Sequence, residues 1–266
     1  ELFADGTWSV TERLDLTGFR GWAAETFADE GTRLVAAAAA VLGDTVDVDA
    51  VAEIAELPRA GLAHAALVTL VDEGILGVRE GRISFVHPVL KAVCYAQVDL
   101  ATRRTLHLRA LERARDPRWP GLVPLASHLC VAATAGDPTV VAELVDAARE
   151  CLGTSPSAAE RWSRCALRLC PSPDSGLAVS ARLVIGSALA AQGRVVEAAA
   201  VAKELLSIPA ARRPATVLAA RCERALGHDA VASALMRAEV RDTAPGELSD
   251  DVLLEAAIAG ILPAGV

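Results

Sequence analysis

Residues 75–78 and 82–85 are two short apolar runs on either side of Arg79-Glu80-Gly81, in a chain whose other apolar residues recur at helical spacing. Two runs of this length around a turn that contains glycine predict a β-hairpin. The rest of the pattern, up to the last residues of the chain, predicts helices. The sequence therefore indicates a mainly α protein with one short β-hairpin.

Three predicted helices precede the hairpin, and one follows it. Three helices, a hairpin and a closing helix describe a winged-helix domain, which we place at residues 30–98. The helices are a first over 33–42 that ends at Gly43, a second through 51–57 that Asp47 or Asp49 caps, a third from Pro58 to Glu73 that ends at Gly74, and a fourth from Pro88 to about Val98.

The second half of the chain repeats a pattern of small residues. Apolar residues make up 53% of the chain but aromatic residues only 3%, and small apolar side chains suit close helix packing. Helix-turn-helix repeats with a step near 34 residues are typical of tetratricopeptide repeats (TPRs), although Leu189 stands where a tyrosine is common. We predict linking helices over 99–150 and a TPR-like array over 151–266. The repeated residues are Gly153, Gly193 and Gly227 at turns, Ala158, Ala198 and Ala232 at helix crossings, and Pro171, Pro209 and Pro245 at helix ends.

The first residues are rich in aromatic side chains, and we interpret 1–29 as a connector. Trp8, Phe19, Trp22 and Phe27 either dock on a neighbouring module or cap the first core. Since the chain starts at Glu1 without an initiator methionine, we expect it to be cut from a longer protein.

Charge is distributed unevenly along the chain. Residues 1–98 hold 15 acidic and 7 basic side chains, whereas residues 99–266 hold 19 of each. DNA binding requires several phosphate contacts from basic residues, but the third helix offers Arg59 and His64 and ends in Asp72-Glu73. We therefore expect no direct binding of nucleic acid and interpret the winged helix as an adaptor between domains.

The main basic cluster lies in the helix that begins at Asp99. It either faces the acidic first module, faces a missing domain, or forms a solvated surface with local ion pairs to Asp99 and Glu112. Its members are Arg103, Arg104, Arg109, Arg113, Arg115 and Arg118.

Several function classes find no support in the sequence. With lysine only at positions 91 and 203, no phosphate-binding loop of the type GxxxxGK[ST] is present, and the GxSxG and HExxH motifs are absent too. The six cysteines form no CxxC pair, so we expect buried cytosolic thiols and no metal site. No run of about 18 apolar residues predicts a membrane span. We predict a cytoplasmic protein that is not an enzyme, with His107 and His128 packed between helices.

One phrase after the hairpin resembles a known family. Its residues are Phe85, His87, Pro88, Leu90 (shifted by one), Val93 or Ala92, Tyr95, Arg103, Arg104, Leu106 and His107. In this combination the chain resembles the large ATP-binding regulators of the LuxR family, which are signal-transduction ATPases. The resemblance implies an NTPase upstream that binds ATP or ADP and a LuxR-type helix-turn-helix downstream, so we expect no cofactor on this segment itself.

The resemblance also implies partners and one candidate site residue. Val86-His87-Pro88 aligns with a Met-His-Asp triplet of related ATPases, in which the histidine approaches the phosphate of bound ADP, and an imidazole suits that contact. Alternatively, His87 ties the last strand to the fourth helix by a hydrogen bond. We expect a sensor and relay segment that contacts its own NTPase, binds an effector or a partner protein on its repeats, and can self-associate. The alternatives are a scaffold attached to a kinase or cyclase and, more remotely, a helical hydrolase.

Overall fold

The computed structural model of the protein describes residues 26–57, 60–79, 82–115, 125–243 and 248–261. Over these residues the chain is mainly helical, as predicted, with thirteen α-helices and one three-stranded antiparallel sheet. The described residues form two compact units, one that ends at Ala133 and one that begins at Thr134. Predictions on Trp8, Phe19, Trp22, Pro58, Arg59, Glu80, Gly81, Arg118 and Pro245 lie outside the described residues.

The first unit contains six helices and three strands among its described residues. They are α1 (Glu30–Leu42), β1 (Thr45–Val46), α2 (Val48–Ala55), α3 (Ala60–Asp72), β2 (Leu76–Arg79), β3 (Arg82–Phe85), α4 (Pro88–Ala96), α5 (Leu100–Ala114) and α6 (Leu125–Ala132).

Aspartate side chains cap three of these helices: Asp29 caps α1, and the other two caps were predicted. The carboxylate of Asp99 accepts the backbone N–H of Thr102 at 2.7 Å and so caps α5. Asp47 accepts the N–H of Ala50 at 2.7 Å, so this residue, and not Asp49, caps α2.

The predicted hairpin is confirmed. Strands β2 and β3 pair antiparallel, with Leu76 opposite Phe85 at one end and Arg79 opposite Arg82 at the other. The two residues of β1 pair with the other side of β3, which gives the strand order β1-β3-β2. The sequence did not predict β1, because two residues are too few to show the alternation that marks a strand.

Helix α1 lies at the centre of the first unit. Its side chains at 35–42 are buried, five of them are alanines, and α2, α3, α4 and α5 all pack against it. Small side chains allow this close approach from several sides. The same core includes Phe27, as well as Leu106 and Ala110 of α5. For Phe27, the alternative in which it caps the first core is therefore confirmed.

The second unit consists of helices joined by short connections. They are α7 (Pro138–Cys151), α8 (Pro156–Leu169), α9 (Gly176–Ala191), α10 (Val195–Leu205), the 3-10 turn Pro209–Ala211, α11 (Arg212–Ala225), α12 (Asp229–Asp242) and α13 (Asp250–Ile258). Each helix packs against the next, and α7 with α9, α9 with α11, and α11 with α13 are also in contact. This is a row of α-hairpins.

Two of the three repeated glycines end helices in the left-handed conformation. Gly193 follows α9 with φ 77°, and Gly227 follows α11 with φ 83°, a region that favours glycine. Gly153 precedes α8 without a positive φ. The three repeated alanines are buried at 1% exposure or less, which fits their predicted place at helix crossings.

Candidate functional site

His87 is the N-terminal cap of α4. Its Nδ1 accepts the backbone N–H of Val89 at 3.1 Å, and Pro88 is the first residue of the helix. The side chain is exposed. This hydrogen bond joins His87 to the first turn of α4, and the link to the last strand that one of the two interpretations predicts stays a prediction. Because Nδ1 accepts, the neutral ring carries its proton on Nε2, which leaves a donor for an anion. The contact with a nucleotide phosphate stays a prediction.

A second set of side chains connects three helices by a chain of hydrogen bonds. Tyr95 on α4 places its hydroxyl oxygen 3.0 Å from Nε2 of His107 on α5. Nδ1 of His107 lies 2.9 Å from Nδ1 of His128 on α6. Both histidines are buried, and Tyr95 is half-buried. The prediction that His107 and His128 pack between helices is confirmed.

The nitrogen–nitrogen contact requires one ring to donate and the other to accept. If His107 carries its proton on Nδ1, it donates to His128 and its Nε2 accepts from the hydroxyl of Tyr95. In the reverse arrangement His128 donates to His107, whose Nε2 then donates to the oxygen of Tyr95. Both arrangements use neutral rings, and both keep every hydrogen bond of the chain.

Burial determines the charge of this set. It lowers the pKa of His107 to about 3, with His128 as a second cause, and it lowers the pKa of His128 to about 4. Burial also raises the pKa of Tyr95, an effect that the charge of Arg103 opposes. Near neutral pH the three side chains are therefore uncharged, which suits a structural link between helices.

The two adjacent arginines of the family-like phrase surround this set. The guanidinium of Arg103 lies 4.8 Å from the ring centre of Tyr95, and the same side chain donates to the carbonyl of Ala96 at 3.3 Å. Arg104 donates through Nε to the carbonyl of Ala132 at 3.1 Å, at the end of α6. Arg103 thus joins α5 to α4, and Arg104 joins α5 to α6.

Two further arginines of α5 contact α2 and the residue that follows it. Arg109 donates to the carbonyl of Ile54 at 2.9 Å and pairs with the carboxylate of Glu56. Arg113, whose side chain is 2% exposed, pairs with Glu53. For these two arginines, the interpretation in which the basic cluster faces the acidic first module is confirmed.

All six cysteines are free thiols, and the prediction that they are buried holds for three of them. Cys94, Cys165 and Cys222 are buried, whereas Cys130, Cys151 and Cys170 are only partly so. Burial raises the pKa of Cys94 to about 12, so this thiol stays protonated. In the part of the chain that the structure describes, no three His, Cys, Asp or Glu side chains are grouped to hold a metal ion, and no helix is long and apolar enough to cross a membrane.

The sequence marked Tyr95 and His107 as parts of one phrase but did not predict that they touch. Their spacing of 12 residues across the break between α4 and α5 was the available signal. For His128 the sequence predicted packing between helices but not the contact with His107.

Comparisons of the chain with models of protein families, with curated proteins and with solved structures find no match.

Proposed function

We propose that this chain is the regulatory segment of a multidomain, ATP-dependent transcriptional activator of the LuxR type. In this proposal residues 30–98 form a winged-helix domain, 99–150 form linking helices, and 151–266 form a TPR-like array. The segment couples the nucleotide state of an NTPase to the binding of an effector or a protein partner. It acts in the cytoplasm, without catalysis of its own, and self-association through the repeats belongs to the same proposal.

The observation that carries the proposal is the contact between α4 and α5. Tyr95, Arg103 and His107, three residues of the phrase that resembles the family, meet there through a hydrogen bond of 3.0 Å and a cation–π contact of 4.8 Å. Three residues of one sequence motif that touch each other in the fold form one structural unit. In this proposal the unit fixes the position of α5, the helix that leaves the first module.

The order of elements supports the winged-helix assignment. The short strand β1 lies between α1 and α2 and joins the hairpin at β3, so one strand, two helices and two strands follow α1. Helix α3 occupies the place of a DNA-recognition helix, but it contains neither arginine nor lysine and ends at Asp72. Because binding to phosphates depends on such cations, this favours an adaptor between domains.

The row of α-hairpins in the second unit supports the TPR-like assignment. Helices α7, α9, α11 and α13 begin at Pro138, Gly176, Arg212 and Asp250, so the steps are somewhat longer than the 34 residues of a typical TPR. Helix α7 lies before residue 151, where the proposed array begins, and it stacks on α9 as the first helix of a hairpin. Contacts between the first helices of successive hairpins are what stacked repeats require. Stacked repeats offer an extended surface for a partner protein or an effector.

Calorimetric titration of the chain with ATP and with ADP tests the division of roles. We expect no heat of binding at micromolar protein, because the nucleotide belongs to the NTPase. Micromolar affinity for either nucleotide would contradict the proposal. The complete gene separates the two main candidates: an NTPase before this segment and a LuxR-type helix-turn-helix after it support the regulator, whereas a kinase or cyclase domain favours the scaffold.

The role of His87 is testable in the whole protein that the gene encodes. His87→Asn keeps a side-chain acceptor at the cap of α4 but removes the imidazole. His64→Asn, at an exposed position of α3, is the matched control. We expect weaker ADP binding for His87→Asn alone, with the thermal stability of both variants unchanged. Equal ADP affinities in the two variants would leave His87 with the capping role only.

A further inference from the structure

The chain of Tyr95, His107 and His128, here called the latch, joins helices that are separate in sequence. One hydrogen bond of 3.0 Å connects α4 to α5, and a second of 2.9 Å connects α5 to α6. Arg104 adds one bond from α5 to the last carbonyl of α6. The attachment of α6 to α5 therefore depends on the bond between two buried imidazoles and on the bond from Arg104, together with apolar packing.

We propose that the latch is sensitive to acid and that uptake of protons by His107 and His128 releases α6 from α5. The reason lies in the hydrogen bond between Nδ1 of His107 and Nδ1 of His128. It exists only while one of the two Nδ1 atoms is without a proton. One added proton keeps the bond but places a charge in a buried site, and a second proton turns both Nδ1 atoms into donors that face each other.

The groups around the latch give a charged ring no compensation. Tyr95 of α4, one member of the latch, is uncharged near neutral pH, and the cation Arg103 of α5 lies over its ring. Arg104 of α5 donates to the last carbonyl of α6. Helices α1 and α2 also pack against α5: α1 is apolar and rich in alanine, and the carboxylate of Glu53 on α2 pairs with Arg113. Among the described residues, no carboxylate is a cause of either histidine shift.

The direction of the pH effect follows from these shifts. Both folded-state pKa values lie below the ordinary value of 6.5, so the neutral latch stabilises the attached state fully above about pH 6.5. Below this pH the released state binds more protons than the attached state. The population of released α6 then rises about tenfold per pH unit for one proton and about a hundredfold for two.

Hydrogen exchange resolved by peptide, between about pH 7.5 and about pH 4.5, measures this release. After correction for the intrinsic exchange rate, we expect amides of α6 to lose protection below pH 6.5, while those of α7, a helix of the second unit, keep theirs. Replacement of both histidines, His107→Gln with His128→Gln, should abolish the pH dependence. The matched control His64→Gln, at an exposed position of the same unit, should leave it as in the wild type.

Histidine side-chain NMR on the wild-type protein keeps the proposal testable even if the double variant does not fold. We expect both rings to titrate with midpoints below the ordinary 6.5, because protection of α6 is first lost through a small protonated population while most attached rings are still neutral. If α6 stays protected at about pH 4.5, or if both rings become protonated while α6 keeps its protection, the latch is not acid-sensitive and the proposal is wrong.

Discussion

Arg109 on α5 donates a hydrogen bond of 2.9 Å to the backbone carbonyl of Ile54 on α2, 55 residues earlier in the chain. The same guanidinium pairs with Glu56, and Arg113, one turn later on α5, pairs with Glu53 and lies 3.9 Å from Asp47. The acidic first module and the basic helix α5 are thus electrostatically complementary. Helix α5 is part of the first unit for this reason as well as through its apolar residues.

The first prediction concerns this ionic contact. Arg109→Ala should lower the free energy of unfolding of the first unit by about 1–2 kcal/mol, because it removes a charged hydrogen bond to a carbonyl as well as an ion pair. Chemical denaturation followed by circular dichroism measures the change. Added salt should narrow the difference between variant and wild type, since the ion pair with Glu56 is screened.

Arg79→Ala is the control for the loss of an arginine. Arg79 is exposed at the end of β2, and its replacement should change the free energy of unfolding by less than about 0.5 kcal/mol. Equal losses for both variants would mean that Arg109 does not hold α5 in place.

The local features of the fold could be predicted from the sequence, because they depend on residues within one turn. Asp99 accepts from an N–H three residues away, Pro88 opens α4, and each of the two short apolar runs beside the hairpin turn is visible over four residues. The sequence did not decide whether Asp47 or Asp49 caps α2, since both lie close to the start of this helix.

The contacts that build the latch could not be predicted, because they depend on how helices cross. The bond between His107 and His128 joins residues 21 apart on α5 and α6, and no local pattern encodes that crossing. The basic cluster shows the same limit. Its sequence allowed three environments, and only the packing of α5 onto α2 decided among them for Arg109 and Arg113.

The second prediction concerns Tyr95 as the outer end of the latch. Tyr95→Phe keeps the ring under Arg103 but removes the hydroxyl that contacts Nε2 of His107, which leaves a polar atom of a buried ring without this partner. We expect the free energy of unfolding to fall by about 1–3 kcal/mol in a denaturant titration. A loss near zero would show that the hydrogen bond to His107 stabilises the folded state no more than hydrogen bonds to water stabilise the unfolded chain.

The third prediction uses Tyr95 as a spectroscopic probe. It is the only tyrosine of the chain, so the ultraviolet absorbance of tyrosinate reports on it alone. Burial raises its pKa above the ordinary 10.0, so ionisation in the folded protein should require a higher pH than in the unfolded chain. As a control, titration in strong denaturant should return the ordinary midpoint of tyrosinate formation. Equal midpoints in the folded and unfolded states would contradict the burial of this ring.

The fourth prediction tests the close packing of the second unit. A Cβ at Gly186 would lie 2.4 Å from Cδ2 of Leu218 and 3.3 Å from Cγ1 of Val201, so α9 meets α11 and α10 without room for a methyl group. Gly186→Ala should therefore lower the free energy of unfolding by about 1–3 kcal/mol. Gly153→Ala is the control, because a Cβ there meets nothing within 4 Å; it should be neutral or slightly stabilising.

The fifth prediction concerns a buried carboxylate at the end of the second unit. Glu255 on α13 accepts from Nε of Arg221 at 2.6 Å and from a terminal nitrogen of Arg224 at 2.5 Å, and its side chain is 5% exposed. Glu255→Gln removes the negative charge while two guanidinium groups remain beside it. We expect the free energy of unfolding to fall by about 2 kcal/mol, since hydrogen bonds to charged groups contribute about 1.5–3 kcal/mol, and we expect faster hydrogen exchange in α13.

The control is Asp251→Asn, which removes an exposed partner of Arg221 and should lower the free energy of unfolding by less than about 1 kcal/mol. Similar losses in the two variants would mean that burial does not strengthen the contact of Glu255, and α13 would then be held by apolar packing alone.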